Sequence, residues 1–185
     1  VALKDRVFNW QDFQAHAPCC DVVRLARLYK LPADWSGTLT EVLAVDTRPA
    51  NKIWCVLANV SDLKKREFMR LVLVECKAEL GLVDTDVDDA ESLLAGYVAN
   101  VKNDSDLDTR EPLIEKKRVT TWKAYLADRT NTAKKKTAYF YGALWFTFQT
   151  RAPARLCTTA THDASKVIGY PRIMELLTIF LDDHD

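Results

Sequence analysis

The chain is short of glycine and proline, with five and six among 185 residues. That is too little for a disordered or low-complexity chain, and little for an all-β protein, which places glycine in its many turns. Long apolar runs are missing as well. The longest, Ala138 to Phe148, falls short of the roughly 20 residues a membrane span needs. The opening Val1 to Asn9 alternates charged and apolar residues and contains no signal-peptide core. No phosphate-cradling glycine loop, HExxH or GxSxG motif is present.

Cysteine is also poorly arranged for a structural role. The five residues Cys19, Cys20, Cys55, Cys76 and Cys157 are odd in number and lack CxxC spacing. Vicinal Cys19 and Cys20 cannot easily close an unstrained mutual disulfide, so free thiols in a reducing cytoplasm are expected. His16, Cys19 and Cys20 have no second ligand pair at the spacing a tetrahedral metal set requires. His162, Asp163 and Cys157 carry no local sign of an activated nucleophile. No catalytic residue, metal or cofactor is expected.

What remains is the composition of an ordinary globular protein, 48% apolar and 28% charged, patterned for helices. Thr38-Leu-Thr-Glu41 is a capping box that opens a short helix to about Val45. Pro18 suits the first turn of a helix running to about Lys30, where Pro32 ends it. Thr47 and Pro49 mark the start of another, carrying Ile53, Trp54 and Leu57. Ser61 to Leu80 is the clearest element: Ser61 is an N-cap, Gly81 a stop, and Met69, Val72, Leu73, Cys76 and Leu80 share one face. Lys64, Arg66, Arg70 and Lys77 point away from that face. Further helices are expected from about Asp88 to Val101 and from Thr109 to about Arg129, the latter burying Val119, Trp122, Tyr125 and Leu126. Residues 138–148 are apolar on every side. They read as a central helix, with a β-strand as the alternative because of their aromatic enrichment. Pro153 to Ile168, stopped by Gly169, and Pro171 to Leu181 close the chain. With no linker or repeat, the expectation is a single all-α domain over 1–185, built of about eight or nine helices.

A net charge of zero hides an asymmetry. Nine acids (Asp84, Asp86, Asp88, Asp89, Glu91, Asp104, Asp106, Asp108, Glu111) stand against Lys102 and Arg110, a net of −7 over residues 84–111. Eight bases (Lys116, Lys117, Arg118, Lys123, Arg129, Lys134, Lys135, Lys136) stand against Glu115 and Asp128, a net of +6 over residues 115–136. The plainest account is that both stretches solvate helix ends and partly neutralise each other. Asp104, Asp106, Asp108 and Glu115 also reproduce ligand positions of a calcium loop, but Thr109 replaces the turn glycine. A polar inter-helix loop, with Thr109 capping the next helix, is expected instead. Lys134, Lys135 and Lys136 fall where an apolar helix begins, against its dipole. Beside Trp122, Tyr125 and Tyr139 they leave a nucleic-acid surface as an alternative, carried by Lys116, Lys117, Lys123, Lys134, Lys135 and Lys136.

The order Leu39-Thr-Glu-Val-Leu-Ala-Val-Asp46, Asn51-Lys-Ile-Trp-Cys-Val-Leu57, Arg66-Glu-Phe-Met-Arg-Leu-Val-Leu-Val-Glu-Cys76, followed by an Asp-rich loop, resembles a known family. It is similar to the α-helical putative immunity proteins of bacterial polymorphic-toxin systems and to related uncharacterised phage proteins, over roughly residues 38–115. The resemblance implies a non-enzymatic cytoplasmic protein that binds and blocks another protein, a toxin or a host enzyme. It assigns no site residues. Acidic side chains that mimic phosphate and steer encounter with a basic site would suit such a blocker. Asp84, Asp86, Asp88, Asp89, Asp104, Asp106, Asp108 and Glu111 are therefore the expected partner-binding surface, and no membrane is implied.

Overall fold

A computed structural model of the chain describes residues 3–16, 21–151 and 158–183. After a 3-10 turn at Leu3–Asp5 come β1 (Val7–Asn9), α1 (Trp10–His16), α2 (Val22–Tyr29), β2 (Ser36–Thr38), α3 (Leu39–Ala44) and α4 (Pro49–Ala58). The longer helices follow: α5 (Asp62–Leu80), α6 (Thr85–Val98), α7 (Asp104–Ala127), α8 (Thr132–Phe148) and α9 (Thr159–Asp182). The fold is all-α, nine helices among the described residues, with one small antiparallel ribbon that pairs Val7 with Thr38 and Asn9 with Ser36. No helix among the described residues is long and apolar enough to cross a membrane.

Local signals account for most helix ends. Thr38 and Glu41 form the expected capping box of α3, Ser61 caps α5, and Gly81 stops it at φ 56°. Residues 138–148 are helical, inside α8. The two closing helices run as one element broken at Gly169, whose φ of 80° admits glycine and few other residues. Pro18 and Pro153 lie outside the described residues, and α2 takes its cap from Asp21.

The ribbon and α1 were not legible as elements. They carry an aromatic cluster in which Trp10 lies 5.0 Å from Trp35 and 5.7 Å from Tyr29, ring centre to ring centre. Two of its polar handles are satisfied by backbone carbonyls: Trp10 Nε1 donates to that of Pro32 and Tyr29 Oη to that of Asn51. Such pairs stabilise beyond their area by about 0.5–1.5 kcal/mol each.

At the centre, α5 packs against α9, α6 and α8, and α8 lies between α7 and α9. Here Arg66 departs from its expected outward direction, being only 2% exposed. Its Nε donates to the Thr147 carbonyl at 3.1 Å and its Nη2 to that of Gln149 at 3.0 Å. The guanidinium also lies 5.3 Å over the Tyr97 ring of α6. The physical reason is the C-terminus of α8: its last carbonyls have no intrahelical donors, and a cation there also meets the negative end of the helix dipole. Replacing Arg66 with Met should lower the unfolding free energy in urea by about 2–4 kcal/mol, because the loss leaves buried carbonyls unpaired. Arg129→Met, at an exposed position, should change it by less than about 0.5 kcal/mol.

Candidate functional site

The acidic stretch folds as the beginnings of two helices. Asp84 is the N-cap of α6, its carboxylate accepting from the backbone N–H of Asp86 at 3.0 Å. Asn103 caps α7 in a capping box completed by Asp106, so Asp104 to Asp108 form its first turns. The expected inter-helix loop at Asp104–Asp108 is therefore helix. Thr109 is not a cap; its hydroxyl donates back to the Ser105 carbonyl within the helix. A continuous helix cannot wrap these carboxylates around one ion, and no group of three metal-ligand side chains gathers among the described residues.

Each of the eight acidic candidates has a partner within the chain. Lys117 donates to Asp84 at 2.7 Å and pairs with Asp86 at 2.7 Å, while Tyr141 of α8 donates its hydroxyl to Asp84. Arg110 bridges Asp86 and Asp89, and Lys77 of α5 pairs with Asp88 and Glu91. Asp104 accepts from Tyr97, Asp108 from Thr150, and Glu111 from Trp145 Nε1. Burial works against the Asp84 carboxylate, yet the bonds from Lys117, Tyr141 and the Asp86 backbone hold it below the usual range. Burial likewise opposes the Lys117 charge, but Asp84 and Asp86 keep its pKa above normal. A cleft of about 430 Å³ opens beside this network, lined by Asp84, Asp86, Lys116, Lys117, Thr121 and Tyr141.

The basic stretch spans the second half of α7 and the first turn of α8. Lys134 pairs with Asp128 at the connection and Lys136 reaches Glu79 at the end of α5. Asn131 caps α8, giving its first turn a neutral acceptor where the lysines oppose the dipole. Lys116, Lys123 and Lys135 are exposed and, with Arg129, make no ion pair among the described residues. Arg118 stacks over the Trp145 ring at 4.1 Å.

One expectation fails on this helix in an informative way. Val119, Trp122 and Leu126 are not buried but 38%, 36% and 44% exposed, and Tyr125 is half-buried. From Glu115 to Thr137 no residue is buried at all, so the paired ends of α7 and α8 form an arm standing clear of the core. Trp122 makes edge contacts with Tyr125 and Tyr139, 5.5 Å to each ring centre. The apolar residues themselves are plain in the sequence, but nothing there shows that they lack a partner within the chain.

Elsewhere, Cys55 and Cys76 are buried free thiols, and burial pushes Cys76 up to about 12 and Cys55 higher still, so neither is poised to react. Cys19, Cys20 and Cys157 lie outside the described residues. His162 is exposed, its ring 3.4 Å from the Tyr170 hydroxyl. Compared with protein-family models, curated proteins and solved structures, the chain matches none.

At the base of the arm, Asp163 of α9 packs onto α8 where residue 142 is glycine; a Cβ there would stand 2.4 Å from its carboxylate oxygen. Burial raises the Asp163 pKa to about 6, against the opposing pull of Arg118 and Lys166. A folded-state pKa above the unfolded value means stability is fullest at low pH and is lost as pH rises through about 6. Relative to Asp163→Asn, the wild type should lose on the order of 2 kcal/mol between pH 4 and pH 7, allowing for partial exposure. Chemical denaturation of both proteins across that range measures it; a constant difference would contradict the assignment.

Proposed function

We propose that the chain is a protein-binding module that neutralises or blocks its partner, as the immunity-type and phage proteins it resembles are expected to do. The α7–α8 arm is its contact surface. The observation that carries this reading is the arm's composition: large apolar side chains at helical spacing in a segment with no buried residue. Exposed apolar and aromatic residues rimmed by charge are what interface cores are made of. The acidic candidates, each bonded within the chain, supply a background field that can steer encounter and are second in line as contacts.

A second reading has its own observation. Trp122 and Tyr125 lie outside the core, with Tyr139 at its edge, beside four cations that make no ion pair among the described residues, which suits single-stranded nucleic acid.

Affinity capture by the intact protein from nuclease-treated extract of its source cells separates them. On the proposed function, one protein is retained in stoichiometric amount, lost with W122S/L126S and kept with V23S/L28S, an apolar-to-polar control on the exposed side of α2. Retention that disappears on nuclease treatment, with a gel shift of a single-stranded oligonucleotide abolished in K116Q/K123Q/K135Q, would establish the second reading instead.

A further inference from the structure

We infer that the partner presents an acidic amphipathic helix, and that this helix lies lengthwise along the exposed face of α7. The inference rests on the reading of the arm as a protein-binding surface and names the chemistry of what it takes. Val119, Trp122 and Leu126 follow i, i+3, i+7 spacing, so they form one stripe about two turns long. Such a stripe matches the apolar edge of another helix, whose side chains repeat at the same interval. Lys116 and Lys123, seven residues apart, run beside the stripe on the same exposed side, and Arg129 and Lys135 stand at the end of the arm. None of these four is neutralised by an ion pair among the described residues. A helix with apolar residues on one edge and carboxylates flanking them would satisfy stripe and cations together.

The same features disfavour the other occupants. Two copies of the chain meeting arm to arm would bring Lys116, Lys123 and their equivalents together, and like charges across an interface are repulsive. A nucleic-acid strand would use the cations but gains nothing from Val119 and Leu126. Helix-in-groove recognition uses every element present: aliphatic contact, a central Trp anchor and a charged rim.

The probe is a fluorescein-labelled designed peptide of about 18 residues, with Leu at i, i+3, i+4 and i+7 and Glu on the remaining surface. A second peptide carries Lys in place of Glu. Titration of each with the intact protein is read by fluorescence anisotropy. The acidic peptide should bind at least about tenfold more tightly than the basic one. W122S/L126S should weaken it by about tenfold, and so should K116Q/K123Q/K135Q, which should also flatten its salt dependence. All substituted residues are exposed, and circular dichroism of each variant confirms the fold. Equal affinity for both peptides, or binding untouched by either variant, would overturn the inference. So would tighter binding to oligo(dT) or to phosphatidylserine vesicles than to the acidic peptide, or a dimer in sedimentation that W122S/L126S dissociates. If the cellular partner is still captured through Trp122 and Leu126 while the acidic peptide fails, the protein-binding role stands and the acidic helix alone is refuted.

Discussion

The last turn of α8 is apolar and enclosed, and its carbonyls need donors that water cannot bring. Arg66 supplies them from α5, reaching Thr147 and Gln149 with two N–H groups while its guanidinium lies against Tyr97 of α6. Three helices are thereby fixed at one point. A buried cation is costly unless it is bonded, and this one meets the negative end of a helix rather than a carboxylate. From that anchored end, α8 runs outward through Phe148, Leu144 and Phe140, all buried, to Ala138. Beyond Ala138 none of its described residues is buried, although Lys136 reaches back to Glu79 of α5, and α7 runs paired alongside.

The consequence is a molecule with one pinned end of α8 and one free end. Between them, at the base of the arm, Asp163 packs against Gly142 and the Arg118 guanidinium lies 4.1 Å over the Trp145 ring. At the free end, apolar side chains at helical spacing face outward. α7 accordingly has only two buried residues, Leu107 and Ile114, and its apolar side chains further along, Val119, Trp122 and Leu126, stay exposed. Amphipathic periodicity reports that a face wants apolar contact; it does not say whether the contact lies within the chain.

Charge follows the same division. The acidic and basic stretches meet where α6 begins, through Lys117 to Asp84 and Asp86, while Arg110 bridges Asp86 and Asp89 within the acidic stretch itself. Many of these charges are therefore paired inside the molecule, with Lys117 joining one stretch to the other. The cations left over, Lys116, Lys123, Arg129 and Lys135, cluster on the arm and make no ion pair among the described residues.

The sequence by itself determined what depends on a few neighbouring residues. The Thr38–Glu41 box, the Ser61 cap, the Gly81 stop and the break at Gly169 each follow from backbone donors and dihedral preferences within one or two turns. The helical class follows from periodicity of the same range, whereas residues 138–148, apolar on every side, read as helix over strand only through their helical neighbours. Asn103 rather than Thr109 starts α7 through a capping box with Asp106 that is as local as that of Thr38, so this start belongs with what the sequence determined. Tertiary structure alone decided which of several capable acceptors or donors lies opposite. The ribbon joining Val7 to Thr38, the burial of Arg66 and the exposure of Val119, Trp122 and Leu126 all turn on residues tens of positions apart. A side chain carries its own chemistry in the sequence, but the dielectric around it and the groups it meets are set by helices arriving from elsewhere. For that reason the cations of the arm were legible as candidates, whereas Val119, Trp122 and Leu126 were read as core and became a surface only once the fold had left them uncovered.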